Sequence, residues 1–339
     1  MLARLFHAWE RHLVAATTDR VVYPFEWGLD WIPNNGARTT TPCHTLTDWV
    51  ASIMADTDRF FETPPIRQYS FDGSRLKFPS AYETPHQENN WVHARYFPTT
   101  SSGGPPTSRR AVVVLPQWNA QPEASIVLSR LLAWTGISAL RLSLPYHDQR
   151  MPPELHRADY IVSANVGRTI QVCRQAVLDT RRAVDWLSQQ GYQRIGILGT
   201  SLGSCLAMLA AAHDRRITVA ALNHISPYFA DVVWEGLSTA HVRAGLEGSI
   251  DLERLRALWL PISPQPFISR MKNKRVLLVY ARYDLSFPVR LSRQLVDEFK
   301  RQAIPHRVCT LPCGHYSTGI APFSWLDGYK LITFLRKNL

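Results

Sequence analysis

The sequence predicts an α/β fold: a mostly parallel sheet with helices on both faces. Three observations predict it. Short, continuous apolar runs rich in β-branched residues recur from residue 111 onward. Helical apolar patterns separate them, which is how a sheet buried on both faces reads. One junction between such a run and a helix carries a serine between two glycines, Gly199-Thr200-Ser201-Leu202-Gly203.

Taken in order, residues 1–16 place Leu2, Leu5, Phe6, Trp9 and Leu13 at helical spacing, giving a helix with one apolar face. The expectation is packing on the domain, favoured over peripheral membrane contact, because few basic residues flank the face. Residues 21–50 are rich in Trp, Pro and Asn and fit neither helix nor strand. Their aromatics must bury against something or bind something. A helical pattern follows from Thr45 to Phe61. Arg75–Phe78 and Trp91–Phe97 read as early strands, with a polar turn at Thr84–Asn90 between them. Residues 99–108, Ser-, Gly- and Pro-rich, read as a flexible loop.

From there the alternation is regular. Strands are expected at Ala111–Leu115, Ser138–Leu142, Arg194–Leu198, Thr218–Leu222, Arg275–Tyr280 and His306–Leu311. Helices are expected at Pro122–Thr135, Ile161–Gln190, Leu202–His213, Pro288–Gln302 and Trp325–Lys337, the second stopping at Gly191. Residues 226–269 interrupt the pattern with Tyr228, Phe229, Trp234, Trp259 and several prolines, and read as a cap above the sheet. The expected organisation is therefore an extension over 1–65 packed on a core domain over 66–339.

Composition narrows the function. The chain has 339 residues, 45% of them hydrophobic and 19% charged, so it can bury a large core without staples. The net charge of +11 is spread over 38 Lys and Arg that cluster only in pairs such as Arg109–Arg110 and Arg215–Arg216. No basic run suggests a nucleic-acid partner. The five cysteines imply no disulfide framework, and Cys309, Cys313 and His315 lack the fourth donor of a zinc site. No dinucleotide fingerprint or phosphate loop is present, so no cofactor and no metal is expected. Arg4 and Glu10 break any leader-like apolar run, and the expectation is a cytoplasmic protein. No oligomer signal is readable.

The chemistry-bearing residues lie at strand ends. A serine on a sharp strand-to-helix turn exposes its Oγ, small flanking residues let the backbones pass, and the helix N-terminus favours developing negative charge. A serine hydroxyl needs a base, and the base an orienting acid. Asp284 follows the strand ending at Tyr280, and His315 follows the strand ending at Leu311. Sites form at such carboxyl ends in parallel sheets. Asp231 is a rival acid, and His224 lies close enough to a strand end to touch the same pocket. His147 and Arg150, after the strand ending at Leu142, are candidates for contact with a polar substrate group or for fixing their own loop.

From Leu76 to Leu339 the chain resembles the α/β-hydrolase superfamily, on the Gly199–Gly203 elbow, the Asp284 and His315 loops and the strand–helix order. It is similar to the dienelactone-hydrolase and prolyl-oligopeptidase-like branches and to hydrolase-domain group 18. The resemblance implies an eight-stranded sheet and a Ser201–His315–Asp284 triad. It also implies an oxyanion hole from the backbone N–H of Leu202 and a second N–H mapping onto Trp118, with Gln117 and Asn119 beside it. Where many members carry His-Gly, this chain has Pro116-Gln117. Gln117, Asn119, His147 and Tyr228 are the expected substrate contacts. The implied function is a serine hydrolase for esters or thioesters, its substrate a small molecule with apolar or aromatic groups. Acyl transfer, amide hydrolysis, lipid-surface chemistry and a non-catalytic binding protein are the alternatives.

Overall fold

The computed structural model describes residues 2–33, 41–99 and 109–339. Most of the loop expected over 99–108, and residues 34–40 of the aromatic stretch, lie outside the described residues. The chain begins with helices α1 (Leu2–Ala15), α2 (Pro42–Ala55) and α3 (Thr57–Phe60). Strands β1 (Ser70–Phe71), β2 (Arg75–Pro79), β3 (Trp91–Phe97) and β4 (Arg110–Leu115) follow, then α4 (Ile126–Trp134), β5 (Ser138–Leu142) and α5 (Val166–Gln189). Next come β6 (Arg194–Thr200), α6 (Leu202–His213) and β7 (Ile217–Asn223). The cap carries α7 (Phe229–Glu235), α8 (Ala240–Leu246) and α9 (Leu252–Leu258). The chain closes with β8 (Arg275–Ala281), α10 (Val289–Arg301), β9 (His306–Leu311) and α11 (Phe323–Asn338).

Among the described residues nine strands form one sheet, in the order β1-β2-β3-β5-β4-β6-β7-β8-β9. β1, β2 and β3 are antiparallel, as is the β3–β5 pair, and every later pair is parallel. The resemblance implied eight strands. The ninth is the two-residue edge strand β1, too short to carry an apolar pattern.

Period-two alternation divides the core. Ala111, Val113 and Leu115 of β4 enter the large core with α5, α6 and the cap, while Val112 and Val114 enter the second core with Leu331, Phe334 and Leu335 of α11. Other boundaries moved for local reasons. The helix expected over Thr45–Phe61 starts at Pro42 and breaks at Asp56, whose carboxylate caps α3 by accepting from the Arg59 N–H at 3.0 Å. α4 starts at Ile126 rather than Pro122, because Ser125 takes a left-handed conformation. α5 starts at Val166, where Asn165 caps it through Arg168 N–H, and it stops as expected at Gly191, φ 82°. Among the described residues no helix is long and apolar enough to cross a membrane.

The loop after β5 is tied down by charge. Arg150, fully buried, meets Asp179 of α5 at 2.8 Å and donates to the carbonyls of Asn89 and Ser143. Asp179 also accepts from Ser80 Oγ and Ala81 N–H. Arg150 is thus a fixing residue of its own loop, not a substrate contact. Removing one partner strands a buried charge. Asp179→Ala should destabilise the fold by about 3–5 kcal/mol, measured by urea unfolding; a loss below about 1 kcal/mol would contradict this.

Candidate active site

The elbow is built by close backbone approach. A Cβ at Gly199 would lie 2.1 Å from the Gly203 carbonyl oxygen, and one at Gly203 would lie 2.4 Å from the carbonyl oxygens of Leu115 and Pro116. Only glycine lets β6, the start of α6 and the end of β4 pack this tightly. Between them Ser201 is held at φ 56°, ψ −120°, a region that costs a non-glycine residue about 1–3 kcal/mol. Ser201 N–H is anchored on the Asn223 carbonyl at 2.8 Å, and Ser204 Oγ bridges the carbonyls of Ser201 and His224.

Three strand ends then converge. His315 Nε2 lies 3.1 Å from Ser201 Oγ, and its Nδ1 donates to Asp284 Oδ2 at 3.0 Å. Asp284 Oδ1 accepts the backbone N–H groups of Ser286 (2.8 Å) and Phe287 (2.7 Å). The Phe287 ring stacks on the His315 imidazole at 5.3 Å. Burial alone would push the Asp284 carboxyl up, but the facing His315 and the hydrogen bonds from His224 and His315 hold it well below the usual carboxylate range. For His315, burial works downward and is outweighed by Asp284 through charge and hydrogen bond, so its pKa is raised.

His224 is the addition that the sequence only hinted at. Its Nδ1 donates to the same Asp284 Oδ2 at 2.9 Å, its backbone is left-handed (φ 58°), and its buried Nε2 has no partner among the described residues. His224, Asp284 and His315 also bring three ligand-type atoms within 4.8 Å of one another. Their shared geometry is that of one carboxylate oxygen accepting two imidazole N–H groups. Asp327 of α11 accepts from Asn223 Nδ2 at 2.8 Å, and burial raises it to about 6.

Glu10 was missed altogether. This α1 carboxylate, 1% exposed, accepts from Tyr316 N–H (2.8 Å), Ser317 N–H (3.0 Å) and Ser317 Oγ (2.7 Å). It therefore holds the loop that carries His315. A signal existed: a carboxylate one helical turn from Phe6 sits on the apolar face of α1. Phe6 stacks on Tyr283, next to Asp284, at 4.6 Å, while Leu2 and Leu5 stay exposed.

The remaining candidates divide. Among the described residues, neither the Leu202 nor the Trp118 backbone N–H has a hydrogen-bond acceptor. The close approach at Gly203 sets the chain just before Trp118 against the start of α6. The Trp118 side chain is a wall: its Nε1 donates to the Ala158 carbonyl at 2.8 Å, and its ring stacks on His241. Asn119 uses its side-chain oxygen on Ala158 N–H, and its own N–H donates to His147 Nε2 at 2.9 Å. His147 Nδ1 meets the Pro145 carbonyl, and burial lowers this imidazole to about 4. His147 thus positions the Gln117–Asn119 loop as a neutral acceptor. Gln117, Asn119 and His147 all line the cavity at Ser201. Tyr228 does not: it lies under Arg256 at a separate surface hollow beside Asp231. Asp231 pairs with Arg256 at 2.5 Å rather than with an imidazole, so the rival acid is accounted for. Trp259 of the cap is fully buried, its Nε1 on the Val166 carbonyl.

Solved structures share this architecture. An acylaminoacyl peptidase from Pyrococcus horikoshii superposes with a TM-score of 0.59 at 13% identity over 81% of this chain. An acetyl xylan esterase from Paenibacillus sp. R4 reaches 0.61 at 16% identity, covering 91% of this chain and 98% of its own. A carboxyl esterase from Bacillus coagulans reaches 0.55 at 9% identity, covering 80% of this chain and 99% of its own. The chain has the α/β-hydrolase fold. It spans 42% of the length of the Pyrococcus peptidase. The family model of alpha/beta hydrolase domain containing 18 matches residues 120–243, a stretch that includes Ser201 and His224 but not Asp284 or His315. No curated protein matches the chain in sequence. The resemblance drawn from the sequence holds at the level of the fold.

Two measurements check the network. Glu10→Ala leaves two buried Ser317 donors and the half-buried Tyr316 N–H without this acceptor, so it should cost about 2–3 kcal/mol of stability and broaden the His315 imidazole resonance; an unaltered melting curve would contradict this. His224→Leu removes one donor from Asp284, leaving more charge facing His315. The His315 titration midpoint, followed by NMR, should rise; a fall would refute the shared-oxygen geometry.

Proposed function

We propose that the protein is a serine hydrolase that cleaves carboxylic esters or thioesters through an acyl-enzyme intermediate. The observation that carries this reading is the unbroken chain of hydrogen bonds from Ser201 Oγ through His315 to Asp284. Ser201 Oγ attacks the carbonyl carbon while His315 Nε2 takes its proton. The bond to the leaving oxygen or sulfur then breaks, and His315 returns the proton to that atom. Water repeats the sequence on the acyl-enzyme, giving its proton to His315 and releasing the acid and free Ser201. Asp284 fixes the Nδ1–H tautomer and stabilises the imidazolium. The backbone N–H groups of Leu202 and Trp118 receive the oxyanion.

The relatives in fold that support the reading are an acetyl xylan esterase, a carboxyl esterase and an acylaminoacyl peptidase.

The test is hydrolysis of p-nitrophenyl acetate. Ser201→Ala and His315→Ala should each lower kcat by roughly 10⁴ or more, and the double variant should lose little beyond either single one. Equal activity in Ser201→Ala would overturn the reading. His315 acts as a base only when neutral and its pKa is raised. The acid limb of kcat/KM should therefore lie above the ordinary imidazole value of about 6.5; a limb near 4 would point to another base.

A further inference from the structure

Ser201 stands in the wall between two cavities that differ in size and lining. Trp118, Ser201 and Ser238 line both. The larger, about 780 Å³, has a mixed lining in which Asp19, Arg20, Asn119, Arg157, Asn223 and Asp327 supply polar groups. The smaller, about 40 Å³, is apolar and lined by Val162, Leu202, Cys205, Phe229, Val233 and Phe287, among others. His315 borders the larger and is not among the residues lining the smaller.

That asymmetry orients a substrate. The leaving oxygen must lie where His315 Nε2 can return a proton to it, and the water that frees the acid must arrive from the same side. The leaving group therefore occupies the large cavity and the acyl chain the small one. A water-sized atom group needs about 10–15 Å³ of such space, so the small cavity takes roughly three carbons beyond the carbonyl. The large cavity presents charges of both signs and several amide groups, which match hydroxyls rather than a single net charge.

We propose that the substrates are esters of short acyl groups, acetyl to butyryl, on bulky polyhydroxylated alcohols. The inference rests on the hydrolase reading above and names the substrate class for that same site. The cap sets the acyl limit through Phe229 and Val233 and through Val232, which also lines the small cavity.

The experiment compares kcat/KM for p-nitrophenyl acetate, butyrate and octanoate, and for an acetylated monosaccharide against ethyl acetate, with Ser201 labelling by a fluorophosphonate as the control. In the wild type, acetate and butyrate should exceed octanoate by about tenfold or more, and the sugar acetate should exceed ethyl acetate. Phe229→Ala should narrow or invert the acetate-to-octanoate ratio. Val232→Phe, which fills the cavity from its partly exposed side, should raise the acetate-to-butyrate ratio about tenfold and keeps the test alive if Phe229→Ala does not fold. Labelled Ser201 with octanoate as the best ester, or with no preference for the sugar acetate, would overturn this inference alone. Absence of labelling together with absence of ester turnover would instead remove the hydrolase reading, and this inference with it.

Discussion

One carboxylate organises the site. Asp284 accepts two imidazole N–H groups on one oxygen and two backbone N–H groups on the other. A buried carboxylate with four donors is held ionised and immobile. That fixed charge decides which His315 nitrogen carries the proton and which faces Ser201. It also explains why His224 sits in a left-handed conformation, because the strain is offset by the hydrogen bond it completes.

The loops at the strand ends carry backbone strain as a group. Asn119, Tyr146, Asp148, Ser201 and His224 all take positive φ without being glycine, and all lie just past strand ends. Each costs free energy that the packed sheet must supply. The sheet can do so because β4, β6, β7 and β8 are buried on both faces. Helix α1 then fastens the loops from behind: Glu10 holds the turn after His315, and Phe6 packs beside Asp284. The N-terminal helix is thereby part of the site's support.

Much of this was legible in the sequence, for identifiable reasons. Parallel strands buried on both faces write themselves as continuous apolar runs, so β4 through β8 are legible to within two residues at each end. The elbow was legible because glycines at 199 and 203 answer a steric demand. What stayed hidden was set by tertiary contact. Tyr228 was expected at the pocket because it is aromatic and in the cap, but a cation next to it, Arg256, holds it elsewhere. The cap aromatics suggested a substrate with apolar or aromatic groups, yet Trp259 is fully buried, and of the four named only Phe229 borders the small cavity. Local pattern also cannot reveal that Glu10 meets residues 316 and 317, since nothing in a single sequence encodes a partner three hundred residues away.

The central claim is that Ser201 carries the acyl group because Asp284 and His315 make it nucleophilic. The most direct measurement is intact-mass and peptide-mass analysis of the protein quenched in acid within the first turnovers on an activated acetate ester. The account predicts a transient acetyl adduct on the peptide bearing Ser201, accumulating in the wild type and absent in Asp284→Ala. Ester hydrolysis proceeding with no adduct, or with the adduct on another residue, would contradict it.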